Sequence, residues 1–417
     1  MKLMVSIVLP IVVLLMMESC SRTVVTLHRE LSVKPAPESR EAVPSRDLGW
    51  ERAPNFEGRF GFDFDDHLRK HDAQGFLAYD TAQIQDSTKP RIIALGDSNT
   101  YGWGVAPEAA WVEVLDRELP AAHVINLAWL GYSSLQGYKT LLKYGDQMQP
   151  ELILASFNFN DRRFVYDGRI DSEEKFALNF EASQKRGTYD WLDKIHTVTI
   201  MRSVMRRVGL VRPEPAATEL DARTLQARVP PDKYRENLQK IAQYGRERNI
   251  PVIFLLLKDN PNYTEHIRRG LELRQAGDYE RALRSFSLGL TNQISGTLAR
   301  KYLALTYEDM GAVDKAKYAA RVERQLEPID GLNVIHLDSE YNSIMLEVGR
   351  EFGIKVVDAR AMLDAHPEQF IDLCHPDEAG HARIAGLMLQ AVKEVAPALA
   401  KDALDIGEKV ARSDMRR

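Results

Sequence analysis

Cysteine is scarce in this chain. The 417 residues contain only Cys20 and Cys374, and histidines and cysteines are nowhere paired at the spacings of metal ligands. A chain with two cysteines, the first of them a candidate for lipid attachment, is not expected to rely on a disulfide even in an oxidising compartment. The sequence therefore predicts no metal site and no cofactor, and Cys374 is interpreted as a small buried hydrophobic residue.

Concentrated positive charge is also missing. The formal net charge is -5, and no block of lysine and arginine is interleaved with aromatic residues. Nucleic-acid binding therefore has no electrostatic footprint in this sequence. The composition, with 44% hydrophobic and 28% charged residues, is typical of a globular protein with one large domain or two smaller ones.

The N-terminus lacks a hydrophobic run long enough to span a membrane. The apolar stretch from Leu3 to Met17 is shorter than the roughly 20 residues that a spanning helix needs, and Pro10 interrupts it. Residues 1–20 are therefore predicted to be a secretory signal. Ser19-Cys20 resembles the processing site of bacterial lipoproteins, at which the cysteine becomes the lipidated first residue. We expect a cell-envelope protein that contacts a membrane through its N-terminus, as a lipoprotein or by an uncleaved anchor.

Strands and helices alternate from about residue 90. Strands are predicted at 91–95, 123–127, 151–157, 251–257 and 354–358, and helices near 107–119 and 133–147 and at 232–248, 339–352 and 376–395. This alternation predicts an α/β fold with a parallel five-stranded sheet covered by helices on both faces. We divide the chain into an N-terminal signal or anchor at 1–20, a proline-containing linker at 21–55, a main domain in two parts at 56–262 and 329–400, a helical insertion at 263–328 and a tail at 401–417.

Two segments interrupt the alternation. The polar and basic stretch 162–229 contains apolar residues at helical spacing, namely Ile200, Met201, Val204 and Val208, and three roles fit it: covering a site, contacting a membrane, or packing. In 263–328, Gly277 and Ala282 recur as Gly311 and Ala316, an offset of 34 residues (311 − 277). That period resembles the tetratricopeptide repeat family. The resemblance implies either a helical brace on the main domain or a surface for a protein partner.

Polar residues and a glycine follow the predicted strands where those strands end. Ser98 follows the first strand, Gly131 the second, Asn160 the third, and Asp372 and His375 come after the last strand and a loop. Ligands of open parallel sheets bind beyond the carboxyl ends of the strands. We therefore expect these residues on one rim.

These residue types suit acyl transfer. A serine hydroxyl becomes a good nucleophile when an imidazole accepts its proton, and a carboxylate holds that imidazole in the right tautomer. Ser98, His375 and Asp372 supply the three groups. The N–H groups of Ser98 and Gly131 and the side-chain amide of Asn160 are candidate donors for an oxyanion hole.

Other polar residues near this rim have other predicted roles. Asp377 is the rival orienting acid but is better placed to favour the first turn of the last helix, and Pro376 suits the first position of that helix. Asp97 is interpreted as structural and His381 as a surface or packing residue. The nearby tryptophans are interpreted as core residues, with an aromatic shelf for a sugar ring as the alternative: Trp103, Trp111 and Trp129.

The ordered motifs carry a resemblance to a known family. Gly96-Asp97-Ser98, Gly131, Asn160-Asp161 and Asp372-x-x-His375-Pro376 resemble the four signature blocks of the SGNH (GDSL-type) hydrolase superfamily, over roughly residues 75–160, 230–258 and 335–395. The resemblance implies a three-layer flavodoxin-like fold, a catalytic serine at Ser98, oxyanion donors from the first three blocks, and action on esters. Two positions depart from the pattern: Asn158 stands where a glycine is usual, and Asn99 replaces an apolar residue.

Three functions follow, of which the first is preferred. The first is a secreted, membrane-tethered serine esterase that removes or transfers a small acyl group, acetyl in our reading, on an envelope carbohydrate. The second is a lipase or lysophospholipase, for which 162–229 is an apolar lid. The third is a scaffold in which the repeats recruit a protein partner and the hydrolase fold is vestigial.

Overall fold

A five-stranded parallel sheet forms the centre of the protein. The computed structural model describes residues 41–59, 67–86, 88–165, 169–193, 220–290, 296–322 and 334–403. The strands of the sheet are β1 (Arg91–Gly96), β2 (His123–Asn126), β3 (Leu152–Ser156), β4 (Val252–Leu256) and β5 (Lys355–Asp358). Their order is β2-β1-β3-β4-β5, and all neighbours are parallel. The predicted five-stranded parallel α/β sheet is confirmed, and its order is that of flavodoxin-like folds.

The sheet has its topological switch point between β1 and β3, because the chain leaves β1 in one direction to form β2 and returns to the other side to form β3. In the register of this pair, Gly96 lies opposite Ser156. The loops that follow β1 and β3 therefore leave the sheet side by side. Ligands of doubly wound sheets bind at such a point, so the loops at 97–98 and 157–160 define the place to look for a site.

Helices cover both faces of the sheet. The thirteen α-helices of the described residues are α1 (Ala78–Gln85), α2 (Ser98–Tyr101), α3 (Trp111–Glu118), α4 (Ser134–Met148), α5 (Glu173–Asp193), α6 (Pro231–Arg248), α7 (Pro261–Gln275), α8 (Tyr279–Gly289), α9 (Gly296–Asp309), α10 (Val313–Ala319), α11 (Asp338–Phe352), α12 (Arg360–Ala365) and α13 (Glu378–Val395). Short 3₁₀ helices occupy Pro107–Ala109 and Pro367–Gln369.

The core is divided into two layers by the alternating side chains of the strands. Ile92 and Ala94 of β1 pack with α3, α12 and α13 on one face, whereas Ile93 and Leu95 pack with α4, α6 and α11 on the other. All four side chains are buried. Strands buried on both faces read as continuous apolar runs, and residues 92–95 do so because each face has its own helices.

The helical insertion consists of two helix pairs, α7 with α8 and α9 with α10, and α8 also packs on α9. Gly277 and Gly311 lie between the helices of each pair with φ of +78° and +72°, a conformation that favours glycine. Gly270 of α7 lies so close to α8 that an added Cβ would be 2.3 Å from the Phe286 ring. These helices match the 34-residue pattern, and the tetratricopeptide assignment stays a prediction.

Part of the predicted linker is folded. Residues 42–52 form an antiparallel hairpin, Ala42–Ser45 with Gly49–Arg52, and Leu48 in its turn is buried beside Trp129. The linker prediction is therefore wrong for this part of 21–55, because Gly49 with φ of +80° and Pro44 are the turn and edge residues of a short hairpin. Two more short pairs join Glu57–Gly58 to Arg69–Lys70 and Leu220–Asp221 to Arg321–Val322.

Several predictions fall on segments that the structure does not describe. The N-terminal signal with Cys20, the apolar residues at 200–208 and most of the tail lie outside the described residues. Among the helices within those residues, none combines the length and the hydropathy needed to cross a membrane. The signal, the anchor and the remaining domain boundaries stay predictions.

Candidate active site

Ser98 is the first residue of α2, immediately beyond the end of β1. Asp97 precedes the helix as its N-cap, and its Oδ1 accepts a hydrogen bond from the Asn99 N–H at 2.9 Å. A Cβ on Gly96 would lie 2.1 Å from Thr100 Oγ1, so the strand can turn into the helix this sharply only with glycine at 96. The tight turn places the Ser98 hydroxyl at the rim of the sheet.

Ser98, His375 and Asp372 form a continuous hydrogen-bonded relay. His375 Nε2 lies 2.7 Å from Ser98 Oγ, and His375 Nδ1 lies 2.7 Å from Asp372 Oδ2. A carboxylate only accepts hydrogen bonds, so Nδ1 of the neutral imidazole donates to Asp372 and Nε2 is the acceptor that faces the serine. The structure thus brings together the three side chains predicted from the sequence, in the arrangement that activates a serine.

Asp372 is held as a carboxylate. Its Oδ1 accepts the backbone N–H groups of Cys374 and His375, both at 2.9 Å. Burial works to raise the pKa of Asp372, but His375, through its charge when protonated and its hydrogen bond, and the two backbone N–H groups outweigh burial and lower that pKa below its ordinary value. An ionised Asp372 can stabilise the imidazolium that forms when His375 takes a proton.

Asp97 links the first block to the third. Its Oδ2 accepts a hydrogen bond from Asn160 Nδ2 at 3.1 Å, and burial raises the pKa of Asp97. Asn160 Oδ1 in turn accepts from Arg163 Nη1 at 3.3 Å. These two contacts fix the amide of Asn160: one N–H donates to Asp97, and the carbonyl oxygen accepts from Arg163.

The other two candidate oxyanion donors have no acceptor among the described residues. Across the part of the chain that the structure describes, the backbone N–H groups of Ser98 and Gly131 donate to no protein group. Gly131 has a φ of +73°, and the Trp129 N–H donates to Gly96 O at 3.3 Å, which ties the Gly131 loop to the strand that leads to Ser98. The oxyanion role of Ser98, Gly131 and Asn160 stays a prediction that this placement favours.

The two departures from the family pattern have different surroundings. Asn158 donates to Asp338 O at 3.2 Å and also to Asn342 Oδ1, while its own Oδ1 accepts from Arg162 Nε. The side chain that replaces glycine therefore anchors the β3 loop to the start of α11. Asn99 is buried, and among the described residues its Oδ1 has no hydrogen-bond partner.

The neighbouring candidates lie elsewhere. Asp377 is the N-cap of α13, where it accepts the Gly380 N–H at 2.9 Å. Pro376 precedes that N-cap, so its prediction as the first helical residue is wrong: it pairs with Phe370 in an isolated bridge. His381 is buried, and its Nδ1 accepts the Trp111 N–H at the start of α3 at 3.1 Å.

The three tryptophans differ in exposure. Trp111 and Trp129 are each 1% exposed and belong to the core. Trp103 is half-buried, and its ring centroid lies 4.5 Å from that of His375. Trp103 is therefore the tryptophan of this set that borders the relay.

Asp372, Cys374 and His375 also lie close enough together to hold a metal ion, with one ligand atom from each within 4.8 Å of the others. The relay engages the same atoms, because Asp372 Oδ2 and His375 Nδ1 bond to each other. Burial raises the pKa of the Cys374 thiol well above its ordinary value, which opposes the thiolate that binds metals. The donor set fits the relay better than a metal.

Sequence reasoning missed the residues that hold the site from outside the motifs. Asn260 Nδ2 donates to Asp372 O at 3.2 Å, Arg228 Nη1 donates to Gly131 O at 2.7 Å, and Trp50 Nε1 donates to Leu130 O at 3.1 Å. These residues are 80 to 112 positions from their partners. No local pattern in the sequence indicates such contacts.

Comparisons with known proteins find solved structures that match this chain at low sequence identity and low TM-score. No family model matches the sequence, and no curated protein matches it. Among solved structures, a lipase/acylhydrolase from Enterococcus faecalis has 14% identity and a TM-score of 0.37, covering 73% of this chain and 96% of its own. The esterase EstA from Pseudoalteromonas sp. has 13% identity and a TM-score of 0.35, covering 73% of this chain and 98% of its own. The acetyl xylan esterase AlAXEase has 12% identity and a TM-score of 0.34, covering 72% of this chain and 99% of its own. TM-scores and identities this low decide nothing about activity.

Proposed function

We propose that this protein is a serine esterase of the SGNH (GDSL) kind. The single observation that carries the proposal is the hydrogen-bonded relay, in which His375 Nε2 lies 2.7 Å from Ser98 Oγ and His375 Nδ1 lies 2.7 Å from Asp372 Oδ2. The N–H groups of Ser98 and Gly131, which have no acceptor in the part of the chain that the structure describes, and the fixed amide of Asn160 lie at the adjoining strand ends. This set supplies a nucleophile, a base and oxyanion donors, which is what acyl transfer requires.

The reaction proceeds in two halves. Ser98 Oγ attacks the ester carbonyl while His375 Nε2 takes the hydroxyl proton, and the oxyanion receives hydrogen bonds from Ser98, Gly131 and Asn160. The intermediate collapses, the bond to the alcohol breaks, and His375 returns the proton to the departing alkoxide, which leaves Ser98 acylated. Water or a second hydroxyl then attacks the acyl group, again losing its proton to His375, and Ser98 is regenerated.

A fluorophosphonate probe tests the serine mechanism directly. The probe should label the wild-type protein and spare Ser98→Ala, because only an activated serine displaces fluoride. Ser343→Ala is the matched control, since Ser343 is an exposed serine on α11, and it should label like wild type. Equal labelling of wild type and Ser98→Ala would sink the proposal.

For the substrate, we propose a small acyl group, acetyl, on an envelope carbohydrate. The N-terminal signal favours an envelope location, and Trp103 offers a half-exposed ring beside His375 on which a sugar face can pack. A series of p-nitrophenyl esters should show the highest kcat/KM for acetate. A strong preference for long chains would favour a lipase instead.

The tether is a separate proposal with its own test. We infer that Cys20 carries lipid and holds the protein at a membrane. Labelling with radioactive palmitate should mark the wild type and Cys374→Ser but not Cys20→Ser. If Cys20→Ser keeps its membrane association and no variant is labelled, an uncleaved anchor is the correct reading.

One observation favours a second role for the helical insertion. Val313 and Tyr318 are 57% and 73% exposed, and both lie on α10. We propose that these side chains contact a protein partner, in addition to catalysis by the main domain. Replacing both by serine should leave esterase activity unchanged and abolish a cross-link that the wild-type protein forms in cells; an unchanged cross-link would refute it.

A further inference from the structure

The loop that carries Gly131 is held by two side chains that belong to none of the four motifs. Trp50, on the N-terminal hairpin, donates its indole N–H to Leu130 O at 3.1 Å. Arg228, beyond the segment that follows α5, donates from Nη1 to Gly131 O at 2.7 Å. The two contacts therefore grip successive peptide groups on either side of the Gly131 Cα.

The first contact determines where the Gly131 N–H points. The Leu130 carbonyl and the Gly131 N–H belong to one planar trans peptide group, in which they point in opposite directions. Holding the carbonyl oxygen on Trp50 therefore directs the N–H away from Trp50. The second contact fixes the next peptide plane, so both dihedral angles of Gly131 are set. A glycine at φ of +73° would otherwise have wide conformational freedom.

The two side chains are themselves immobilised. Arg228 is buried, and its Nη2 donates to Asp171 Oδ2 at 2.6 Å and to Gln136 Oε1 at 2.9 Å. Its guanidinium lies 5.7 Å from the centre of the Trp50 ring, within the range of a cation–π contact. The Tyr132 hydroxyl donates to the backbone carbonyl of Trp50 at 2.9 Å, so this hydrogen bond joins the hairpin to the loop through the backbone and not through the indole that holds Leu130 O.

We propose that Trp50 and Arg228 are positioning residues that direct the Gly131 N–H toward the oxyanion of the tetrahedral intermediate. This inference rests on the proposed esterase function. The Gly131 N–H has no acceptor within the described residues, and the ester oxyanion is the acceptor for which it is kept. The hairpin at 42–52 is then part of the catalytic unit rather than a spacer.

The sharpest variant is Trp50→Phe, which keeps an aromatic ring and removes the N–H. We expect kcat for p-nitrophenyl acetate to fall by about 10- to 100-fold with KM within about twofold, because only the transition state uses the donor. The Ki of phenylboronic acid, which forms a tetrahedral anionic adduct on Ser98, should rise by the same factor. Rates are divided by the fraction of protein molecules that fluorophosphonate labels at completion, so that a loss of folded protein does not lower the reported kcat.

Tyr132→Phe is the matched control. It removes one hydrogen bond from the same aromatic pair but leaves the Leu130 carbonyl bonded to Trp50. We expect a lower Tm with kcat and Ki within about twofold of wild type. A Tyr132→Phe variant whose kcat falls as far as that of Trp50→Phe would overturn the inference. It would show that general loosening of the hairpin, and not the orientation of the Gly131 N–H, causes the loss of kcat.

Arg228→Lys gives an independent variant, because lysine keeps the charge but cannot hold Gly131 O and Asp171 with one planar fork. We expect the same paired change in kcat and Ki. Wild-type kcat in folded Trp50→Phe and Arg228→Lys refutes the positioning role. Should neither variant fold, 15N-glycine labelling of the wild type decides: the Gly131 amide proton must shift downfield when the boronate adduct forms, and an unmoved resonance also refutes it.

Failure of this inference is distinguishable from failure of the proposed function. If Ser98→Ala retains esterase activity, the serine mechanism itself is wrong. If activity depends on Ser98 and is indifferent to Trp50 and Arg228, the mechanism stands and only the positioning role is lost.

Discussion

The rim of the sheet and the helical insertion use buried positions differently. At the rim, polar side chains are buried or half-buried and bonded to one another, as with Asp97 to Asn160 and His375 to Asp372. In α7–α10 most of the buried positions are small or apolar, as with Ala282 and Phe286, and ion pairs such as Arg274–Asp309 lie toward the surface. Burial orients groups in the first region and stabilises packing in the second. Substitutions at the rim should therefore lower kcat more than the free energy of unfolding. Substitutions in the insertion should lower the free energy of unfolding more than kcat.

His375→Ala should have the largest effect and sharpens this contrast most. Without the base, Ser98 stays a weak nucleophile, and we expect kcat to fall on the order of 10⁴- to 10⁶-fold with little change in Tm. His366→Ala is the control, because His366 is half-buried, lies outside the relay, and places its Nδ1 3.2 Å from Glu368 Oε1. The measurement is the steady-state rate of p-nitrophenyl acetate hydrolysis. Similar rates for the two variants would show that the rim residue His375 does not take part in catalysis.

Asp372→Asn compared with Asp377→Asn separates the two nearby acids. Asparagine at 372 no longer stabilises the charged imidazole, so kcat should fall by about 10²- to 10⁴-fold. Asparagine at 377 remains a good N-cap for α13, so activity and the free energy of unfolding should stay near wild type. The reverse pattern would make Asp377 the orienting acid and contradict the geometry of the relay.

The sequence was a good guide to the parts of the molecule that depend on local pattern. Continuous apolar runs predicted β1, β3 and β4, and turn residues after them marked the rim where Ser98 and His375 meet. Helix ends were less well predicted: the helix expected from 376 begins at Glu378, because the side chain of Asp377, and not the ring of Pro376, caps the first turn.

The contacts that orient the site could not be predicted in this way. Trp50 and Arg228 reach the Gly131 loop across 80 and 97 residues of chain, so no spacing rule joins them. The hairpin at 42–52 has strands of four residues, too short to show a clear alternation. Likewise Asn158 is explained only by Asp338 and Asn342, which the fold brings to it from about 180 residues away.

His381 offers a pH test of how a buried side chain near the rim affects stability. Burial, with the nearby charges of His375 and Arg69, lowers the pKa of His381 to about 3, so it is neutral in the fold and charged in the unfolded chain below about 6.5. Its stabilising contribution is therefore complete above pH 6.5 and is lost as the pH falls toward 3. Urea unfolding between pH 7 and pH 4 should show a shallower loss of stability for His381→Gln, and an unchanged slope would mean that His381 titrates normally.

Asn260 joins the two regions, and its substitution has the smallest and most informative effect. It caps α7 by accepting the Asn262 N–H at 3.0 Å, and its Nδ2 donates to Asp372 O at 3.2 Å. Asn260→Ser keeps a capping oxygen but is too short to reach Asp372, so Tm should hold while kcat falls roughly two- to tenfold through a looser orienting acid. Asn260→Ala should lose the same activity and also about 1 kcal/mol of unfolding free energy. If serine restores both properties, the bond to Asp372 has no catalytic consequence, and the insertion acts on the rim through packing alone.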